Sequence, residues 1–185
     1  MLTLPHSSPS VPELETERLK LRAHRVEDFI DCAAMWADPA VIRHIRAQPF
    51  TAEETWTRLL RFLGHWALLG FGYWAVEQKG TGEFLGEVGF ADYKRDLKPS
   101  LDGIPEIGWV FAAHAHGKGY ATEAVQAAIV WGDRHFGNLR TACIIAPENL
   151  ASIRVAEKCG YKGWERTSYH DHPVLLFARE SAVGG

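Results

Sequence analysis

The sequence predicts one mixed α/β domain of the α+β kind, with a central sheet of six to seven strands and four helices, and not a doubly wound parallel fold. Three observations predict it. The chain has 185 residues, the size of a single domain. Its composition, 46% hydrophobic and 23% charged, is that of an ordinary globule, neither disordered nor collagen-like. Its apolar spacing switches between periods of two and 3.6 in the order strand, helix, helix, three strands, helix, strand, helix, two strands.

Residues 1–13 hold Pro5, Pro9 and Pro12 and read as a mobile lead-in. The domain is expected over 14–180, with a tail at 181–185. Arg18–Arg22 alternates polar and apolar, the pattern of a half-buried strand. Val26, Phe29, Ile30, Ala33, Ala34 and Trp36 then follow helical spacing until Pro39 stops the helix. Thr51 and Glu54 form a capping box that opens a second helix, whose apolar face runs from Trp56 to Ala67. Tyr73–Glu77 and Phe84–Phe90 flank the turn Gly80-Thr81-Gly82 and read as a hairpin. The polar stretch 94–102 is a loop, and Glu106–Phe111 is the next strand. The turn His116-Gly117-Lys118-Gly119 leads into a helix with Ala121, Ala124, Val125, Ala128 and Ile129 on one face. Thr141–Ile145 is short and wholly apolar, as at a sheet centre. A helix from Asn149 ends at Gly160, and Tyr161–Thr167 and Val174–Ala178 close the sheet.

Several function classes are excluded or disfavoured. The formal net charge of −3 argues against broad electrostatic binding of nucleic acid. No apolar run reaches the roughly 18 residues that a membrane span needs. The N-terminus has no basic start and no apolar core, so it is not a secretory signal. Cys32, Cys143 and Cys159 fit neither a disulfide framework nor a metal pair, and read as reduced thiols of a cytoplasmic protein. The pairs His114-x-His116 and His170-x-His172 lack further ligands, so no metal is expected.

The most informative segment is Trp109–Ala124, a strand running into Gly-x-Gly and directly into a helix. Unpaired amides and the helix dipole there make an anion site, and the glycines let a phosphate come close. It is neither a Walker A loop nor a dinucleotide fingerprint. About 30 residues later comes Asn149-x-x-Ser152-x-x-Val155-x-x-x-x-Gly160-Tyr161, after an apolar strand. Together the two segments resemble the GNAT family of N-acetyltransferases. Thr16–Arg22 and Gly117–Ala124 look most like its ribosomal-protein N-terminal branch, the RimJ/RimL-like group. The resemblance spans residues 14–180.

The resemblance implies a mostly antiparallel sheet splayed between its fourth and fifth strands, Glu106–Phe111 and Arg140–Ile145, with acetyl-coenzyme A wedged into the gap. His116, Gly117, Lys118, Gly119, Tyr120 and Ala121 would hold the pyrophosphate, with His116 in place of the usual Arg or Gln. Trp109, Val110 and Phe111 would pair with the pantetheine arm, one amide facing the thioester oxygen, and Asn149 would bond the arm. Many relatives protonate the leaving thiolate with a tyrosine at the position of Ala156. In the RimL-like branch the serine matching Ser152 does so. Glu106 is the first candidate base and Glu87 the second, because the attacking amine must be neutral. Glu123 reads as a dipole partner or packing group. The expected partners are acetyl-coenzyme A and an amine acceptor, a peptide N-terminus or a small amine, with a homodimer as a candidate assembly. A non-catalytic acyl-coenzyme A-binding module is the alternative, favoured by Ala156.

Overall fold

The computed structural model describes residues 11–181. One sheet of eight strands runs through the domain in the order β1-β2-β3-β4-β5-β6-β8-β7. The strands are β1 (Leu14–Glu15), β2 (Leu19–Arg22), β3 (Tyr73–Gln78), β4 (Phe84–Ala91), β5 (Glu106–Phe111), β6 (Thr141–Ile145), β7 (Lys162–Tyr169) and β8 (His172–Arg179). The helices are α1 (Phe29–Ala37), α2 (Pro39–Ile42), α3 (Ala52–Leu69), α4 (Tyr120–Phe136) and α5 (Leu150–Lys158). All neighbours are antiparallel except β5 and β6.

The expected seven strands and four helices are each found, with one addition of each kind. β1 is two residues long, too short for periodicity to mark. Pro39 ends α1 but also begins α2, where it takes the first helical position and Asp38 accepts a hydrogen bond from the Ala40 amide. Of the expected lead-in, residues 1–10 lie outside the described residues, as do 182–185 of the tail. Residues 11–13 are anchored: Val11 packs against the core, and the Pro12 carbonyl accepts from Trp74 Nε1 at 2.8 Å.

The two faces of the sheet are covered by different helices. Cys32, Met35, Trp36 and Ile42 of α1 and α2 pack on Ala75 and Phe84. On the other face Ala124, Val125 and Ala128 of α4 meet Leu21, Trp74, Val76 and Val88. Trp66, Trp74 and Trp131 meet edge to face there, their centroids 4.9 to 5.4 Å apart. The Thr51–Glu54 capping box forms as expected, with both reciprocal bonds present. Beneath α1 and α3 lies a buried polar group. Arg22 grips Asp28 with two bonds of 2.7 and 2.8 Å and reaches Glu77 at 2.6 Å. His24, Cys32 and Glu87 bring their ligand-type atoms within 4.8 Å of one another nearby.

Candidate active site

β5 and β6 pair at a single position, Glu106 with Ala142. β6 then stays with β8 along its whole length, so a fork opens beyond Glu106. Backbone groups alternate between the two edges of a strand. The Pro105 carbonyl accepts from the Ala142 amide, and the Ala112 amide donates to the Leu85 carbonyl on the β4 side. By that alternation Ile107, Trp109 and Phe111 turn their N–H and C=O groups into the fork.

Beyond β5 the chain makes one 3-10 turn, Ala113–Ala115, and enters α4 through His116–Gly119. Gly117 and Gly119 hold φ of 74° and 82°, the left-handed region open to glycine. His116 Nε2 donates to the Phe111 carbonyl oxygen at 2.8 Å, so one ring nitrogen of this side chain closes the turn. Arg18 locks the same turn from outside. Its guanidinium bonds the Lys118 carbonyl at 2.9 Å and Glu123 at 2.7 Å. Glu123 also accepts from Thr16 and from the Arg18 amide. Burial pushes the Glu123 carboxyl up, but these donors hold it below its ordinary value. Glu123 therefore ties the start of α4 to Thr16 and Arg18, the residues that lead into β2.

Two cavities meet in the fork. The larger, about 490 Å³, is lined by Trp109, Val110, Phe111, His116, Gly117, Gly119, Tyr120, Ala121, Asn149 and Ser152. Every residue expected to hold the cofactor is therefore brought together there except Lys118, whose carbonyl serves Arg18. The smaller, about 390 Å³, shares Trp109, Val110, Asn149 and Ser152 with it, and His44 and Ile45 line both. Asn149 caps α5, its Oδ1 accepting from the Ser152 amide at 3.1 Å. Its amide nitrogen stays available, and among the described residues the Ser152 hydroxyl has no hydrogen-bond partner. Ala156 is fully buried, and the Tyr161 hydroxyl is 2.7 Å from Thr141 Oγ1 in the core.

The two candidate bases are placed differently. Glu106 lines the smaller cavity, gripped by Arg95 through bonds of 2.6 and 2.8 Å. Glu87 lines neither cavity. It is 1% exposed and accepts from Trp36 Nε1 at 3.1 Å and Cys32 Sγ at 3.4 Å. His170 and His172 line neither cavity; only Tyr169 of that hairpin does. Burial raises the Tyr73 hydroxyl well above its ordinary value, so it lines the smaller cavity as a neutral group. Cys143, also in that lining, is kept a thiol by burial in the same way.

Sequence reasoning missed Arg58, Arg61, Tyr93, Arg95 and Tyr169, all in the smaller cavity. A signal existed for two of them. Arg58, Arg61 and His65 recur at helical spacing beside the apolar stripe Leu59, Phe62 and Trp66. Arg95 sits in the loop 92–104, which is fixed against β6 and β8 by Leu97 and Leu101.

Comparison with known proteins bears on this geometry. Residues 18–162 match the family model described as the Acetyltransferase (GNAT) domain. The protein YkkB of Bacillus subtilis (strain 168) is 38% identical over 114 residues, 60% of this chain and 63% of that protein, so the match spans somewhat under two thirds of its length. A structure from Bordetella pertussis, described as a GnaT-family acetyltransferase, is 31% identical over 91% of this chain and 99% of that one, with a TM-score of 0.80. RimL, a ribosomal L7/L12 alpha-N-protein acetyltransferase in complex with coenzyme A, superposes over 94% of this chain and 100% of its own with a TM-score of 0.76. At 16% identity that likeness is one of fold alone, so it does not assign the chain to the RimJ/RimL-like branch.

Proposed function

The chain belongs to the GNAT acetyltransferase family, and from that premise we propose that it is an acetyl-coenzyme A-dependent N-acetyltransferase acting on a primary amine by direct attack in a ternary complex. One observation carries this reading. The two cavities meet at Trp109, Val110, Asn149 and Ser152, so a donor in one and an acceptor in the other can share a reaction centre.

Acetyl-coenzyme A supplies the activated acyl group, and this chain's residues fit it. The amides of Gly117–Ala121 at the α4 N-terminus suit a pyrophosphate. The fork-facing backbone groups of Trp109 and the amide of Phe111, whose carbonyl is taken by His116, suit an arm that pairs as a strand. Asn149 adds its amide nitrogen.

The Trp109 amide donates to the oxygen on which charge develops as the amine nitrogen bonds the acyl carbon. The amine must be neutral, and an α-amine with a pKa near 7.7–8.0 needs only modest help. Glu106 is the one carboxylate in the lining of the smaller cavity, and it takes the amine proton through a water. As the carbon–sulfur bond breaks, the Ser152 hydroxyl donates to the departing sulfur. We assign Glu87, away from both cavities, to holding Trp36. No helix among the described residues is long and apolar enough to cross a membrane.

The test is calorimetric titration with acetyl-coenzyme A, then a thiol-release screen over amines that include peptides with free N-termini. Tight binding with turnover on any amine is expected. Binding without turnover across the panel favours an acyl-coenzyme A-binding module, the reading to which Ala156 lends weight. No binding overturns both.

A further inference from the structure

We propose that the acceptor is a small primary amine that also carries an oxyanion group, a carboxylate or a phosphate, and that Arg58 and Arg61 of α3 recognise that group. The proposal rests on the acetyl-transfer reading above and names its substrate class.

The charge of the acceptor cavity is the first observation. Its lining holds three arginines and one carboxylate, a formal charge of +2 in a chain whose net charge is −3. The local excess therefore runs against the composition. Arg95 is neutralised by Glu106 through the bidentate pair already described. Arg58 and Arg61 form no ion pair among the described residues.

The state of Arg58 is the second. Its Nε is buried and has no hydrogen-bond partner. Its guanidinium lies over the Trp36 ring at 3.9 Å and the Phe50 ring at 5.2 Å, both on aromatic faces. Stacking fixes the plane of the group but leaves its N–H donors unspent, and that planar fork matches carboxylate and phosphate oxygens. Nε is closed off by its own burial, so an oxyanion in the cavity would meet the terminal N–H groups of Arg58, which lines that cavity and has no hydrogen-bond or ion-pair partner among the described residues. Arg61 lies 5.0 Å from the Tyr93 ring, on the same cavity.

Size and position are the third. At about 390 Å³ the cavity is at the small end of the roughly 300–1,000 Å³ typical of small-molecule sites. Its lining includes both the arginines and the junction at Trp109 and Ser152. One small molecule can thus present its amine to the acyl carbon while its anion meets α3. The same charge disfavours polyamines and aminoglycosides, whose further ammonium groups would meet two arginines without ion pairs and a single carboxylate, Glu106.

The experiment compares matched acceptors at saturating acetyl-coenzyme A. Each amino acid is paired with its carboxamide, and aminoalkyl phosphates are paired with amino alcohols. A peptide with acidic residues after a free N-terminus is a further arm. The carboxamide amine is less basic, so the comparison is biased against the proposal. We expect kcat/KM to favour the anionic member by at least roughly ten-fold. The ratio should fall toward one in Arg58→Met, which keeps much of the stem that packs on Trp36, and drop several-fold in Arg61→Gln. Cofactor affinity by calorimetry should stay within a few-fold in both. The carboxylate and phosphate arms identify which oxyanion is used. Preference for neutral or cationic amines, or a ratio unmoved in both variants, overturns the proposal. If no amine turns over, the enzymatic reading fails separately, and binding decides the inference. Anionic amines should then raise the Tm of the coenzyme A-loaded protein but not of loaded Arg58→Met, and no such shift overturns it.

Discussion

Ser152 has the simplest chemistry to test. Its amide is spent on the Asn149 cap, while its hydroxyl is uncommitted and lines both cavities. A hydroxyl that meets the departing sulfur contributes more to the transition state than to the ground state. Ser152→Ala should therefore lower kcat at least roughly ten-fold and leave acetyl-coenzyme A affinity within a few-fold. Unchanged turnover in steady-state kinetics would remove the serine from the mechanism. Ser152 and Asn149 are legible in sequence because the pattern Asn149-x-x-Ser152-x-x-Val155 after an apolar strand carries the resemblance to the family. The environment of Glu106 is not legible. Its partner Arg95 comes from a polar loop whose course depends on Leu97 and Leu101 finding Ala142 and Val174. The unpaired state of Arg58 is a statement about which carboxylates are absent, and no local pattern reports that.

The turn before α4 joins strand, anion cradle and helix within a few residues. Its glycines are fixed by backbone and not by packing. A Cβ at Gly119 would meet only Arg18 Nη2, at 3.4 Å, yet φ there is 82°. A β-branched side chain in that region is strained, and it would stand among the amides that must meet the pyrophosphate. Gly119→Val should abolish measurable binding of acetyl-coenzyme A by calorimetry while far-UV circular dichroism stays that of the folded protein. Retained micromolar affinity would count against the cradle. The α3 cap gives a contrasting element-scale prediction, one of stability alone. Thr51→Ala removes the hydroxyl that accepts from the Glu54 amide and should cost about 1 kcal/mol in denaturant unfolding. Both elements are legible because turn glycines and capping boxes are local codes. β1 and α2 are not, being two and four residues long and held by neighbours.

Across the molecule, the sheet carries two unlike layers, an apolar one under α4 and one with a buried polar heart under α1 and α3. His24 belongs to that second layer, stacked on Phe62 with centroids 5.4 Å apart and both ring nitrogens buried without hydrogen-bond partners, Nδ1 lying 4.0 Å from Asp28 Oδ2. Arg22 and Asp28 face it from the β2 side, and Glu87 from β4. Burial holds the imidazole below its ordinary value of 6.5, and Arg22 adds to this, against the pull of Glu87 and Asp28. The sign of the pH effect follows. The unfolded chain takes up a proton at this position near pH 6.5, whereas the folded protein resists it until a lower pH. Falling pH therefore draws the protein toward the unfolded state, beginning at about 6.5, with a limiting slope of about 1.4 kcal/mol per pH unit for one proton. Asp28 and Glu123 are held below their ordinary values by their donors, so their contributions are lost only in more acid solution. The window from about pH 6.5 to 5 thus isolates imidazoles from these carboxylates. Urea unfolding across it should give a steeper loss of stability in the native protein than in His24→Gln, whose side chain does not titrate. Equal slopes would mean that the buried layer opens and hydrates His24 before the domain unfolds.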